Sequence, residues 1–377
     1  MESGIWTQFS PNIINFVETV IRDGRVGICA GNLRISDVTS SCSSVVQQPK
    51  CDRFKLVIPY AGQPIIWEVL FDSNSPDEAP DFIFGPEDKT FCPYIEDVQG
   101  LVKWDSQNPR ALLIVLQDIL DHYRKHQLKL LEENSRLQFE YTSLVEQNQF
   151  KSDSIEVHVA KSASKTGPVN FLIKLSVDFS KIPAYLTKDN PGEDSAVLAV
   201  CFSNPEGSKI TPQLFLSPRV EQALGGSPNL RIPPFSNGGC LIDYIPSVCE
   251  LLTNKVDQIV QGYEKRKEYI AAFLSHFGRS LLEYDSEGFS KISFLLEWND
   301  FFFIVRIELS LFFPKDQPVL TFQSIYHENN SKPYMQVFSE YPYSPRWSGN
   351  EMADRARTFI LDNVSSFQKS SVMGGSL

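Results

Sequence analysis

The sequence predicts an α+β protein built from repeated units, each a helix, a four-stranded antiparallel meander and a closing helix, joined by a central α+β segment. Amphipathic helical stretches alternate with groups of short strand-like runs along the chain. A Pro-x3-Pro-x3-Phe string occurs twice, each time where the chain leaves an apolar strand. With 377 residues, the chain is long enough for more than one core.

The first element is a helix with Ser10 as N-cap and Pro11 at its first position. Ile13, Ile14, Val17, Val20 and Ile21 share one face, and Gly24 lies just past the end. Strand-like runs follow at 26–35, 54–58, 65–71 and 82–84, separated by turn residues such as Ala61-Gly62-Gln63-Pro64. Asn108-Pro109 opens a second helix on which Leu112, Leu113, Leu116, Ile119, Leu120 and Tyr123 keep the helical period, and a polar, helix-prone run continues to about Gln147. Four more strands are expected at 155–159, 169–177, 196–202 and 213–216, with a helix from about Tyr244. A long helix capped by Asn254 then carries Val256, Ile259, Val260, Tyr263, Ile270, Phe273 and Phe277 on one face and stops at Gly278. A meander from Leu282 to Phe322 and a helix over 350–367, with Met352, Ala356, Phe359 and Ile360 inward, complete the second unit. The expected domains are 1–148, 149–250 and 251–377, the middle one a degenerate third copy or an unrelated linker domain.

Composition narrows the function classes. The chain is 42 % hydrophobic and 21 % charged, which fits a globular protein rather than a disordered or fibrous one. A net charge of −11, with no basic run longer than Lys265-Arg266-Lys267, argues against nucleic acid as the main partner. The start Met1-Glu2-Ser3-Gly4 carries no apolar signal-peptide core, and Glu297, Asp300, Arg306 and Glu308 interrupt the apolar stretch from Phe289 to Phe313. A soluble, intracellular protein without a membrane partner is therefore expected. The seven cysteines form no Cys-x-x-Cys pair, so reduced, packed thiols are expected, with no metal and no cofactor.

The repeated string reads Ser75-Pro76-Asp77-Glu78-Ala79-Pro80-Asp81-Phe82-Ile83-Phe84 in one copy and Phe313-Pro314-Lys315-Asp316-Gln317-Pro318-Val319-Leu320-Thr321-Phe322 in the other. A helix, a meander and this crossing resemble the ubiquitin-conjugating (E2) fold, with Pro76, Pro80, Phe84, Pro314, Pro318 and Phe322 as its structural motif. Prolines suit a stretch where the backbone runs extended without a ladder partner for each N–H. The second copy continues Ile325-Tyr326-His327-Glu328-Asn329, similar to the string before the active site in that family, with Glu328 in place of proline. The resemblance assigns His327 a structural role.

The family's thiol lies about eight residues past the asparagine that corresponds to Asn329. Here that position is near Val337, and no cysteine follows Cys249. A thiolate is required to accept the ubiquitin carboxyl group, so this copy is expected to be inactive. In the first copy Cys92 lies at about half the expected spacing and reads as a loop or buried cysteine. Both copies resemble ubiquitin E2 variant (UEV) domains.

Longer strings carry a closer likeness. Cys51-Asp52-Arg53-Phe54-Lys55-Leu56, Leu216-Ser217-Pro218-Arg219, Ala223-Leu224-Gly225-Gly226, the helix from Gly262 to Gly278 and Tyr341-Pro342-Tyr343-Ser344-Pro345-Arg346-Trp347 resemble the BRE (brain and reproductive organ-expressed) family. That resemblance implies a non-catalytic subunit of the BRISC and BRCA A deubiquitinase complexes, present in cytoplasm and nucleus. The implied partners are a JAMM-type zinc protease specific for lysine-63-linked ubiquitin chains, its MPN-domain partner, a von Willebrand A-like subunit and ubiquitin itself. The competing expectations are a cofactor for an active E2 in chain synthesis and a stand-alone ubiquitin receptor.

Candidate partner-interface residues are Tyr341, Tyr343, Arg346 and Trp347, whose aromatic and arginine content matches interface anchors, and the basic run Lys265, Arg266 and Lys267. A packed strap with Trp347 in the core is the alternative for the first group, and a solvated helix face for the second. His122 and His126 have metal-ligand spacing, but Tyr123 stands where a metalloprotease helix has glutamate. Gly225-Gly226 and Gly238-Gly239 lack the Gly-Lys-Ser/Thr of a phosphate loop and read as turns.

Overall fold

In a computed structural model of the chain, residues 9–28, 32–41, 50–72, 75, 77–146, 150–162, 165–189, 192–204, 209–226, 230–236 and 238–374 are described. They form a mixed helix-and-sheet protein with three antiparallel sheets. The chain divides into two compact units, one of 1–176, 195–216 and 232–249, the other of 177–194, 217–231 and 250–377.

The first unit begins with helix α1 (Ile14–Asp23) and a meander of β1 (Arg34–Thr39), β2 (Arg53–Tyr60), β3 (Gln63–Leu70) and β4 (Asp81–Ile83) in sequential order. Strict alternation explains β2, because Phe54, Leu56, Ile58 and Tyr60 all point into the core while the residues between them do not. The β2–β3 turn is two residues long, with Ala61 and Gly62 at φ values of 47° and 76°, the left-handed pair that matches strand twist. A single turn of helix α2 (Gln99–Val102) precedes α3 (Ala111–Leu131) and α4 (Ser135–Glu146). The polar run therefore breaks at 132–134, where the Asn134 side chain accepts the Leu137 N–H at 3.0 Å and caps α4. α1 differs from expectation in its first turn: Ile13, already helical in φ and ψ, flanks it without a side-chain cap, and the Ser10 N–H is spent on the Cys51 carbonyl at 2.9 Å.

The same unit contains a second four-stranded meander, β5 (Ile155–Ser162), β6 (Lys165–Lys174), β7 (Ala196–Phe202) and β8 (Ile210–Leu216). Leu172 joins the core formed by Phe16, Trp67, Leu112, Leu116 and Tyr123, with Val197 and Ala199 packed against it. Two buried side chains pin this sheet to its surroundings. Gln127 accepts the Val159 N–H at 2.8 Å, and Glu156 accepts those of Ile28 and Ala61 at 2.7 and 2.9 Å.

The second unit contains the short helices α5 (Ala184–Thr187) and α6 (Pro218–Ala223) and most of α7 (Leu241–Phe277). Asn254 is interior to α7 and caps nothing. Leu241, Ile245, Val248, Leu252 and Val256 form one buried stripe straight through it, and packing of that stripe outweighs a local cap preference. The sheet of this unit has five strands in place of the expected four: β9 (Leu281–Tyr284), β10 (Lys291–Trp298), β11 (Phe301–Glu308), β12 (Val319–Asn329) and β13 (Lys332–Phe338). The last hairpin turns at Asn330 and Ser331, both left-handed, as are Asn299 and Asp300 between β10 and β11. Helix α8 (Gly349–Gly374) closes the unit, burying Met352, Ala356, Ile360, Val364 and Phe367. Phe367 sits among the rings of Phe301, Phe303, Phe322 and Tyr334, with centroids 5.5–6.2 Å away.

Candidate interaction surface

Both copies of the proline motif lead directly into a strand. Pro80 immediately precedes β4 and Pro318 immediately precedes β12, and both prolines are buried. Pro76 lies outside the described residues. Phe84 packs edge-on against Trp67 and Phe91 at 5.4 and 4.7 Å, whereas Phe322 is a fully buried strand residue. Pro314 is half-buried behind a cis Phe313-Pro314 bond. His327 is part of a bulge in β12, where Ser324 Oγ accepts the N–H groups of Tyr326 and His327 at 3.2 Å and lies 3.3 Å from His327 Nδ1. Asn329 pairs with Lys332 at the hairpin end, and Val337 lies opposite Thr321 with 61 % of its surface exposed.

The segment from Tyr341 to Trp347 is a strap laid over the second motif. Gln317 donates to the Tyr341 carbonyl at 2.9 Å, and the Tyr343 hydroxyl donates to that of Pro314 at 2.6 Å. Tyr341 is buried and lies 5.7 Å from the Phe359 ring; burial pushes its phenol up to about 12. Trp347 is half-buried beneath the Arg355 guanidinium, 5.3 Å from the ring centroid. Of the strap, Pro342, Pro345 and Arg346 remain exposed.

The basic run on α7 separates by helical angle. Lys265 and Lys267 are exposed, with Lys265 paired to Glu268 at 2.7 Å. Arg266 points inward and is 2 % exposed. Its guanidinium donates to the carbonyls of Gly288 at 3.0 Å and Leu311 at 3.3 Å and to the Tyr185 hydroxyl. The ring of Tyr185 stacks on Tyr263 at 5.6 Å, so Arg266 clamps α5, the 285–290 loop and the 310–313 turns onto one helix. Beside the two lysines lies a shallow depression of about 730 Å³ lined by Gln261, Glu264, Lys265, Lys267, Glu268, Ala271 and Pro314.

Elsewhere, His122 Nε2 lies 3.3 Å from the Asp97 carbonyl and His126 Nε2 3.2 Å from Thr90 Oγ1, so the two rings serve different neighbours. Burial pushes the Cys51, Cys201, Cys240 and Cys249 thiols up, away from thiolate character, while Cys92 is exposed. Cys29 and Cys42 lie outside the described residues. The Gly225 and Gly226 N–H groups bond the Gln222 and Glu221 carbonyls, ending α6 in a turn. Sequence reasoning missed an exposed apolar tip at Tyr94 and Ile95, 79 % and 69 % exposed. Its only signal was a non-periodic stretch following Pro93.

These features define a helix-and-sheet protein whose motif residues are mostly packed, and whose exposed residues offer surface for other macromolecules. The chain belongs to the BRE (brain and reproductive organ-expressed protein) family, whose model matches residues 7–328. It is 52 % identical to a Branchiostoma floridae protein described as "BRISC and BRCA1-A complex member 2", over the full length of both chains. It is 49 % identical to the Danio rerio protein of the same description, covering 98 % of this chain and 97 % of the relative.

Proposed function

We propose that this protein is a non-catalytic scaffold subunit of a JAMM-type zinc deubiquitinase assembly specific for lysine-63-linked ubiquitin chains. It bridges the MPN-domain pair to a von Willebrand A-like subunit, and its helix-and-meander units act as E2-variant domains. Membership of the BRE family, with relatives at about half identity described as complex members, is the observation that carries this reading. The absence of any cysteine after Cys249, with Val337 at the position where the conjugating family keeps its thiol, supports a binding role over a transfer reaction. Zinc, on this reading, belongs to another polypeptide, and the protein works in both cytoplasm and nucleus.

The α7 depression with Lys265 and Lys267, together with Arg346 on the strap, is the docking surface this proposal assigns. Co-expression with the MPN pair and the von Willebrand A-like subunit tests the bridge. One complex by size exclusion, losing the von Willebrand A-like subunit when this chain is omitted, is the expected result. Elution of this chain alone, with unchanged cleavage of lysine-63-linked diubiquitin, would overturn it and favour a cofactor of an active E2. Lys265→Glu with Lys267→Glu is expected to weaken one subunit contact at least about ten-fold, because it reverses two exposed charges without touching the core.

A further inference from the structure

Each of the three sheets ends in two edge strands, whose outer N–H and C=O groups form a row that another chain can pair with. Among the described residues, five of these six edges carry a device against such pairing. β1 holds Asp37 at φ 49° and a register shift between Ser36 and Thr39. β4 has only three residues and β9 only four, and Pro212 stands inside β8. The Val159 N–H of β5 is taken by Gln127 of α3.

β13 is the exception. It has seven residues, and the stretch Pro333-Tyr334-Met335-Gln336-Val337-Phe338-Ser339 carries no charge. Pro333 guards only the hairpin end, and from Met335 to Phe338 the strand runs in regular register against Gln323 to Leu320. None of its residues forms a backbone hydrogen bond outside that ladder. Tyr334 and Phe338 turn inward onto Phe367 and Phe359 of α8, at 5.9 and 5.3 Å. Met335 and Val337 stand on the outer face, 48 % and 61 % exposed, and that face continues through Gln323 and Thr321 of β12 to Ile304 and Arg306 of β11. A long, uncharged edge flanked by exposed apolar side chains is a template for a further strand.

We propose that the free edge of β13 is a docking site for a short extended segment of another protein, added antiparallel as a sixth strand of this sheet. Size and charge fix the occupant. An edge of seven residues, about 24 Å long and about 10 Å high, offers roughly 240 Å² to a partner. A stable interface between two folded proteins buries about 800 Å² on each side, so this edge alone does not hold two copies of the chain together and suits a weakly bound linear segment. Lys332 and Glu340 are exposed at its two ends, and neither forms an ion pair among the described residues. A matching antiparallel segment has a basic residue at its N-terminal end, beside Glu340, and an acidic one at its C-terminal end, beside Lys332. Between them, β-branched or aromatic residues at alternate positions line up with Met335 and Val337. The proposal goes beyond the scaffold reading and does not rest on it.

Ligand-observed NMR titration of the full chain with end-blocked peptides as long as β13 tests it. One peptide alternates valine with threonine between an N-terminal lysine and a C-terminal glutamate; a second exchanges the two charged residues. Saturable binding of the first is expected at a Kd of about 0.1–1 mM, at least about three-fold tighter than that of the second. Methylating every second amide nitrogen of the first peptide removes the donors that face β13 in one phase and those that face solvent in the other. Binding should be lost in the first phase and kept within about two-fold in the other. Val337→Lys, at an exposed side chain whose replacement leaves the core intact, is expected to weaken binding at least about five-fold. Equal binding of the two methylated peptides would show docking on a face without strand pairing and would overturn the proposal. So would the absence of saturable binding up to about 5 mM, or a dimer of the chain that Val337→Lys dissociates, which would give the edge to a second copy.

Discussion

Removing the guanidinium of Arg266 should loosen the second unit far more than neutralising either neighbouring lysine. The side chain is 2 % exposed and gives three hydrogen bonds, to Gly288, Leu311 and Tyr185. Hydrogen bonds from a charged donor contribute about 1.5–3 kcal/mol each, a gross loss of roughly 4–9 kcal/mol. Against this, burial of a cation among neutral partners costs several kcal/mol, which the substitution recovers in part. The net expectation for Arg266→Ala is about 3 kcal/mol, or roughly a 150-fold larger opening equilibrium. Arg266→Lys keeps the charge but cannot span three acceptors with one ammonium, and should cost about 2 kcal/mol. Hydrogen exchange read by mass spectrometry localises the effect, with amides of β10–β12 reporting on the second unit and those of β2 and β3 serving as an internal reference. If Arg266→Ala changes protection in β10–β12 by less than about three-fold, the clamp contributes nothing net and the reasoning fails.

Four further outcomes follow from the same geometry. Phe367→Ala, at a residue fully buried among four rings, should cost about 3–5 kcal/mol and release α8, seen as lost helical signal and faster exchange in its last turns. Gly27→Ala should destabilise the first unit by more than about 1 kcal/mol, measured by urea unfolding, because it adds both a left-handed alanine and a clash with Glu156. Burial pushes His158 below the usual histidine range, with Asp88 and Glu87 pulling it back. The unfolded chain therefore binds the proton more tightly, so this residue's contribution to stability should fall as pH drops from about 7 toward 5, and His158→Gln should flatten that slope. Val337→Cys should form no reductant-sensitive ubiquitin adduct with activating enzyme, since a thiol on β13 lacks the surrounding site; an adduct would show that the transfer geometry survives.

Local pattern carried much of the fold. The alternation in β2 and β7, the turn at Ala61-Gly62 and the inward stripe of α8 were readable because one face of each element is buried and the period reports it. The strand after Asn329 was not legible because in β13 hydrophobicity does not follow burial: the apolar Met335 and Val337 are on the exposed face while the polar Gln336 is half-buried between Tyr334 and Phe338; the strand is held by backbone pairing to β12 and a left-handed Asn330-Ser331 turn. Asn254 carried the wrong weight, since a cap signal within a continuous buried stripe yields to tertiary contacts. At the candidate surface, the composition of the Tyr341–Trp347 string allowed both an exposed anchor and a packed strap. Only the hydrogen bonds to Tyr341 and from Tyr343, and the burial of Tyr341, show which residues face inward.

By itself the sequence determined the α+β class, the repeat of the proline motif and the family, because these rest on local periodicity and on strings long enough to be specific. The tertiary structure alone decided that Arg266 is an internal clamp while Lys265 and Lys267 face outward, and that β13 ends its sheet with an unpaired edge. Three adjacent basic residues on a helix differ by about 100° each in direction, so their fates depend on what packs against each side. Which strand lies at a sheet edge is set by the pairing of separate segments, a property of long-range packing that no local pattern encodes.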